Sequence, residues 1–192
     1  MEAEAPAERS GRQASISPIT RPLASLQVNI REAIPGDGAA IARIHRENAA
    51  YYVGLDTELF RIPDEDGLDS FADPGPEDNT PTTLFIVAEL DGEIVGYLYA
   101  ELVSPIESAR FQSPSDLSEV RLIVQALGVL QDRWRRGIAT GLVETAEVWG
   151  REHGATVVLC DTWPDGPVSL PFWEHGMGYK PRSVRLRKRL NG

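Results

Sequence analysis

The residues best suited to chemistry are crowded into one turn: Arg133, Arg135, Arg136, Gly137 and Ala139 follow the apolar run Leu122 to Leu130. Gly137 opens a segment of helical period, in which Ile138, Leu142, Ala146 and Trp149 recur at spacings of four, four and three and share one face. A strand therefore hands the chain to a helix start, where the first amides have no intrahelical partner and the backbone dipole is positive. Gly137 and Ala139 remove side-chain bulk and the arginines add charge, so the implied chemistry is capture of a phosphate-like anion. The same residues also make an ordinary solvated turn between a core strand and a core helix. Residue type alone leaves both readings open.

The elements that must position this turn can be read in order. Leu26 to Arg31 alternates apolar and polar residues as a first strand, and Pro35-Gly36-Asp37 stops it, with Asp37 expected as a helix N-cap. In the helix that follows, Ala40, Ile41, Ile44 and Asn48 form one face, and Tyr51 and Tyr52 end it. Val53 to Thr80 has no sustained period and is crowded with Asp, Gly and Pro, which marks a functional loop or a short helix. Thr83 to Glu101 reads as a hairpin folded about Asp91-Gly92, a pair suited to the positive-φ backbone of a tight turn. After a polar loop containing Pro105 and Pro114 come the central strand and helix. His153-Gly154 stops the helix, and a strand from Ala155 to Cys160 follows by a right-handed crossover. Ser183 to Leu190 alternates as a last strand with a basic outer face.

Composition bounds the class. The chain has 192 residues, 42% hydrophobic and 25% charged, as expected of one globular domain. Its formal net charge of -10 argues against general nucleic-acid binding, which needs a broad basic face. The acidic residues concentrate between Val53 and Thr80, where Arg61 is the one cation, and this segment serves either solubility or attraction of a cationic substrate. No apolar run approaches the ~20 residues needed to span a bilayer, and residues 1–24 have the composition of a disordered extension without a signal sequence, so a cytoplasmic protein is expected. The single Cys160 reads as a small core residue, and no spacing suggests a metal site.

Val129 to Leu142, VLQDRWRRGIATGL, resembles motif A of the GNAT superfamily of acyl-CoA N-acetyltransferases, with Val129, Gly137 and Ala139 in the expected positions. Gln131 stands where Pro is usual and Trp134 where Gln or Arg is usual. Asp161 to Tyr179 resembles motif B, with Asp165, Ser169 and Trp173 in the places commonly held by Asn, Ala and Tyr. The resemblance, which covers about Leu26 to Leu190, implies one GNAT domain over 25–192. It implies an α/β fold with a mixed, mostly antiparallel sheet of six or seven strands flanked by helices, its parallel strands four and five splayed apart. The co-substrate would be acetyl-CoA, with no metal. It would be held by Leu127, Val129, Leu130, Arg135, Arg136, Gly137, Ile138, Ala139 and Thr140 of motif A and by Asp165, Ser169 and Trp173 of motif B.

The implied reaction is transfer of an acetyl group to a primary amine of a small cationic molecule. It needs a base for the ammonium, donors for the carbonyl oxygen and a proton for the departing thiolate. Glu119 is the first candidate base, with Glu101 behind it, and Tyr179 is the candidate acid, because an indole N–H at Trp173 cannot serve as one. Tyr51 and Tyr52 are expected to line the acceptor pocket, and Gln125 to orient substrate or water. The rival readings are a protein or peptide N-terminal acetyltransferase, a non-catalytic acyl-CoA-binding regulatory module and an unrelated phosphate-binding domain. Neither nucleic acid nor membrane is an expected partner, and a homodimer is the oligomer that the resemblance suggests.

Overall fold

A computed structural model of the chain describes residues 28–190. The expected disordered extension, residues 1–24, lies outside the described residues. The sheet is built in chain order as β1-β2-β3-β4-β5. Its strands are β1 (Asn29–Glu32), β2 (Thr83–Leu90), β3 (Glu93–Val103), β4 (Arg121–Val129) and β5 (Val157–Cys160). The first four pair antiparallel and β5 joins β4 in parallel, the mixed sheet that the sequence implies. The hairpin between β2 and β3 turns on Asp91 at φ 52° and Gly92 at φ 80°, the positive-φ pair that matches strand twist in a two-residue turn.

Helices α1 (Gly38–Val53) and α3 (Ile138–Glu152) cover opposite faces of the sheet. Successive residues of β3 show this directly. A Cβ on Gly96 would meet Ile138 and Leu142 of α3 at 3.1 and 3.2 Å, whereas the next side chain, Tyr97, lies over Gly128 beside Ile44 of α1. Leu98, Leu122 and Leu142 are fully buried between these layers. The short helix α2 (Leu68–Ala72) lies within the acidic segment and packs on α1.

The start of α1 differs from the sequence expectation. Asp37 does not cap the helix with its side chain. Its carboxylate accepts from Arg31 at 2.7 and 3.1 Å and from the Ile34 amide at 2.9 Å. Asp73, just past α2, takes over, accepting from the amides of Gly36 at 2.7 Å and Gly38 at 2.9 Å. The cap is thus supplied by the far end of the acidic segment, which the contact ties to the helix.

The expected last strand does not form, and the sheet has five strands among the described residues. Residues 180–190 are exposed and pair with no strand, with Val184, Leu186 and Leu190 open to solvent. Their arginines find polar partners instead. Arg182 pairs with Asp116, Arg185 lies 3.5 Å from Asp161, and Arg187 and Arg189 donate to the Glu58 carbonyl.

Candidate active site

The ladder between β4 and β5 runs from Arg121↔Val157 to Val124↔Cys160 and stops, while β4 continues to Val129. On that side the backbone of Gln125–Val129 has no strand partner among the described residues. A cavity of about 780 Å³ opens there. Its walls come from the C-terminal half of α1, the segment after it, the end of β4, the turn into α3, the end of β5 and the motif-B segment.

At one end lies the arginine-rich turn. Leu130 to Gln131 begins a single 3₁₀ turn, Arg135 follows at φ 60°, and Gly137 at φ 81° starts α3. The amides of Arg135 through Thr140 find no hydrogen-bond acceptor among the described residues, and no side chain caps α3. Unpaired amides at a helix start with adjacent left-handed residues are the geometry of an anion cradle. Arg133, Arg135, Gly137, Ile138, Ala139 and Thr140 line the cavity. Arg136 is exposed and Leu130 buried, and neither lines it.

Both departures from motif A have a structural role. The Gln131 amide donates to Glu47 Oε1 at 2.6 Å and its Nε2 donates to the Glu47 carbonyl at 2.8 Å, so the residue standing for Pro uses the N–H that Pro lacks. The Trp134 indole N–H donates to the Val129 carbonyl at 2.8 Å, and its ring meets the Tyr51 ring edge-on at 5.0 Å. Trp134 therefore fastens the turn to α1 and β4.

The motif-B segment closes the other side. It forms α4 (Ser169–Pro171), continued by a wider π-turn from Phe172 to Gly176, with Pro171 in the first turn where its missing N–H costs nothing. Trp173 is 6% exposed, lines the cavity and packs on Phe172 and Tyr179 at 5.1 and 4.9 Å between ring centres. Ser169 also lines it, and its Oγ is buried without a partner among the described residues, as is Oγ1 of Thr162, another lining residue. Buried hydroxyls left unpaired in a cavity wall are available to a ligand. Asp165 is exposed and outside the lining.

Of the residues expected to handle the acceptor, Tyr52 and Gln125 line the cavity, along with Leu127 and Val129. Tyr51 stands behind the wall, packed on Tyr52 and Trp134. The two candidate catalytic residues are not brought into the cavity. Glu119 accepts from Thr156 Oγ1 at 2.6 Å just before β4 begins, at the opposite end of that strand from the arginine turn. The Tyr179 hydroxyl donates to Glu147 Oε1 at 2.9 Å, and burial, with that hydrogen bond and the carboxylate charge, pushes its pKa far up. Glu101 is taken up by the Tyr99 hydroxyl at 3.0 Å and by Gln125 Nε2 at 3.3 Å.

Several lining residues, Phe60 and Trp163 among them, carry no sequence signal of their role. Tyr52, Phe60 and Trp163 meet ring to ring at 5.1, 5.3 and 6.5 Å, joining α1, the acidic segment and the loop after β5 into one aromatic wall. The acidic segment gives the cavity Phe60, Arg61 and Pro63, and its carboxylates at Asp64, Glu65 and Asp66 are exposed outside the lining. Asp161 is the one carboxylate in the wall among the described residues. Cys160 lines the cavity too, and burial together with the Asp161 charge pushes its thiol up to about 11, which keeps it protonated at neutral pH. The spacing i, i+3, i+4, i+7 of His45, Asn48, Ala49 and Tyr52 puts them on one α1 stripe, a signal legible only once that face is known to border a cavity.

Solved structures share this architecture. The tetramutant of BH1408 protein from Bacillus halodurans is 19% identical over 84% of this chain and 99% of its own, with a TM-score of 0.69. The aminoglycoside acetyltransferase meta-AAC0020 from an uncultured soil metagenomic sample, solved with sisomicin, is 18% identical over 85% of this chain and 97% of its own, with a TM-score of 0.57. An acetyltransferase of Trypanosoma brucei is 16% identical over 85% and 99%, with a TM-score of 0.58. At these identities the likeness establishes the fold. No curated protein matches the chain. The family model for the Acetyltransferase (GNAT) family spans residues 42–179, from the middle of α1 through the anion cradle to the end of motif B, and the chain belongs to that family.

Proposed function

We propose that the protein transfers an acetyl group from acetyl-CoA to the primary amine of a small molecule. The observation that carries this reading is the continuity, in one cavity, of an unpaired β4 edge with the run of free amides from Arg135 to Thr140. An extended thiol-bearing arm needs the first and a pyrophosphate needs the second. When bound, acetyl-CoA supplies an acetyl group activated as a thioester. Arg135 and the Gly137–Thr140 amides hold its phosphates, with Arg136 adding positive potential. The β4 edge at Leu127 and Val129 pairs with the arm and presents donors to the carbonyl oxygen, with Leu130, whose amide is held by the Val95 carbonyl, packed behind it, and Ser169 and Trp173 close the opposite wall, with Asp165 at its rim.

Trp173 cannot protonate a thiolate, and Tyr179 already shares its proton with Glu147. The nitrogen therefore supplies it, since forming the amide releases an N–H proton beside the departing sulfur. Glu119 and Tyr179 support this site from outside, by bracing the start of β4 and the back of Trp173.

The acceptor in this reading is a small cationic amine with an apolar portion set against Tyr52, Phe60 and Trp163. The carboxylates of Asp64, Glu65 and Asp66 act on it through their field rather than by contact. Among the described residues no helix is long and apolar enough to cross a membrane and no cluster could hold a metal. A cytoplasmic location and a homodimer belong to the same proposal.

Calorimetric titration with acetyl-CoA, run beside thiol release across a panel of amines, tests the whole reading. Binding with amine-dependent release is expected. Binding without release from any amine would favour a regulatory acyl-CoA module, and no binding would remove the assignment of the cradle.

A further inference from the structure

His45 and Tyr97 form a polar pair in the cavity wall that the anion cradle does not use. His45 Nδ1 lies 3.1 Å from Tyr97 Oη, and both residues line the cavity. Tyr97 comes from β3, is 6% exposed, and crosses β4 over Gly128, where a Cβ would meet its ring at 2.5 Å. Packing thus fixes the phenol against α1, and His45 is the hydrogen-bond partner of its hydroxyl among the described residues. His153 is engaged by the Trp149 carbonyl and His175 is exposed outside the cavity, so His45 is the one imidazole in the wall. Glu101 and Glu119 are held by Tyr99 and Gln125 and by Thr156, and Asp161, the carboxylate that lines the cavity, lies 3.5 Å from Arg185.

We propose that His45, oriented by Tyr97, is the group that takes the proton from the acceptor ammonium. This rests on the acetyl-transfer reading. The Nδ1–H donates to Tyr97 Oη, which leaves the Nε2 lone pair to accept one proton from the ammonium and yields an imidazolium and a neutral amine. The amine lone pair then forms the C–N bond at the acetyl carbon as the C–S bond breaks. The electron pair leaves with sulfur, the second nitrogen proton goes to it, and the imidazolium returns its own proton to solvent.

The electrostatics support a neutral imidazole at rest. Partial desolvation lowers the pKa of His45, which keeps an exposed edge, while Tyr97, pushed up to about 12 by burial, stays protonated. Arg61 from the acidic segment, Arg133 and Arg135 from the turn and Asp161 from the end of β5 line the same cavity, an excess of positive charge that disfavours an imidazolium. On α1 itself the neighbours are occupied, Glu47 by Gln131 and Arg46 by the Pro63 carbonyl.

Long-range ¹H–¹⁵N spectra of the full chain, with His45 assigned through H45Q, read the tautomer directly. Expected is the Nδ1–H form at pH 7, titrating below the ordinary imidazole value and reverting to the Nε2–H form in Y97F. A wild-type His45 carrying its proton on Nε2 would overturn the proposal whether or not an acceptor is known. In kinetics with phenethylamine and spermidine as acceptors, H45Q should lose about 10²–10³-fold in kcat/KM at pH 7. The loss should narrow toward the pH at which the free amine deprotonates in solution, with acetyl-CoA affinity unchanged by calorimetry. An H45Q profile parallel to wild type would also overturn it, and failure of acetyl-CoA to bind wild type would mark failure of the enzymatic reading instead.

Discussion

Glu47 holds Gln131 at two points, its carboxylate on the backbone amide at 2.6 Å and its carbonyl on the side-chain amide at 2.8 Å. The contact joins the middle of α1 to the first residue of the turn that carries the anion cradle. The helix lining one half of the cavity therefore sets the position of the other half. E47A should destabilise the protein by about 1–3 kcal/mol, because a half-buried charge-assisted hydrogen bond is lost, and should weaken acetyl-CoA binding as the turn loosens. Urea unfolding and calorimetry check both, and a stability loss with unchanged affinity would show that the turn holds its shape without α1.

Arg135 pairs an unfavourable backbone with a useful charge. Its φ of 60° belongs to the left-handed region that glycine adopts freely. R135G should keep the turn and gain roughly 1 kcal/mol in relieved strain, yet bind acetyl-CoA several-fold more weakly, most clearly at low salt. A variant both more stable and equally tight in binding would remove Arg135 from the anion site.

Tyr97 lies on Gly128, so the smallest added side chain is disruptive. A Cβ there would also meet Ile44 at 3.1 Å. G128A should cost about 1–3 kcal/mol by overpacking and should shift the His45 resonances, since the phenol must move off its place over Gly128. Unchanged thermal unfolding would contradict the packing described.

The Arg31 and Asp37 pair predicts an acid limb. Burial pushes the Asp37 carboxyl up, but the hydrogen bond from Arg31, the Ile34 amide and the Arg31 charge outweigh it and hold the group below its ordinary value. The unfolded chain therefore binds a proton more readily. The contribution is fully present above the unfolded pKa, about 3.9, and is lost as pH falls through the depressed folded value. Wild type should lose urea resistance over that range more steeply than D37N, and parallel curves would refute the assignment.

Acceptor attraction by the acidic segment is tested by neutralising Asp64, Glu65 and Asp66 together. Because these residues lie outside the cavity wall, the expected effect is a rise in acceptor KM that salt abolishes, with kcat unchanged. A change in kcat would place them in contact with substrate.

What the sequence alone determined is local. The Asp91-Gly92 hairpin, the strand-turn-helix about Gly137 and the periodic face of α3 depend on residues a few positions apart, whose φ preferences and spacing act before any distant contact forms. The family resemblance, carried by that same contiguous stretch, was legible for the same reason. The tertiary structure decided the rest. Asp73 caps α1 in place of Asp37, Tyr97 meets His45 from 52 positions away, and Phe60, Arg61 and Trp163 reach the wall that Asp64, Glu65 and Asp66 do not. The basic alternation of Ser183 to Leu190 read as a strand, yet a strand needs a partner edge, and here the arginines bind carboxylates and a carbonyl instead. Glu119 has the right chemistry at the wrong end of β4, because position along a strand fixes distance from the cavity at roughly 3.3 Å per residue and residue type does not.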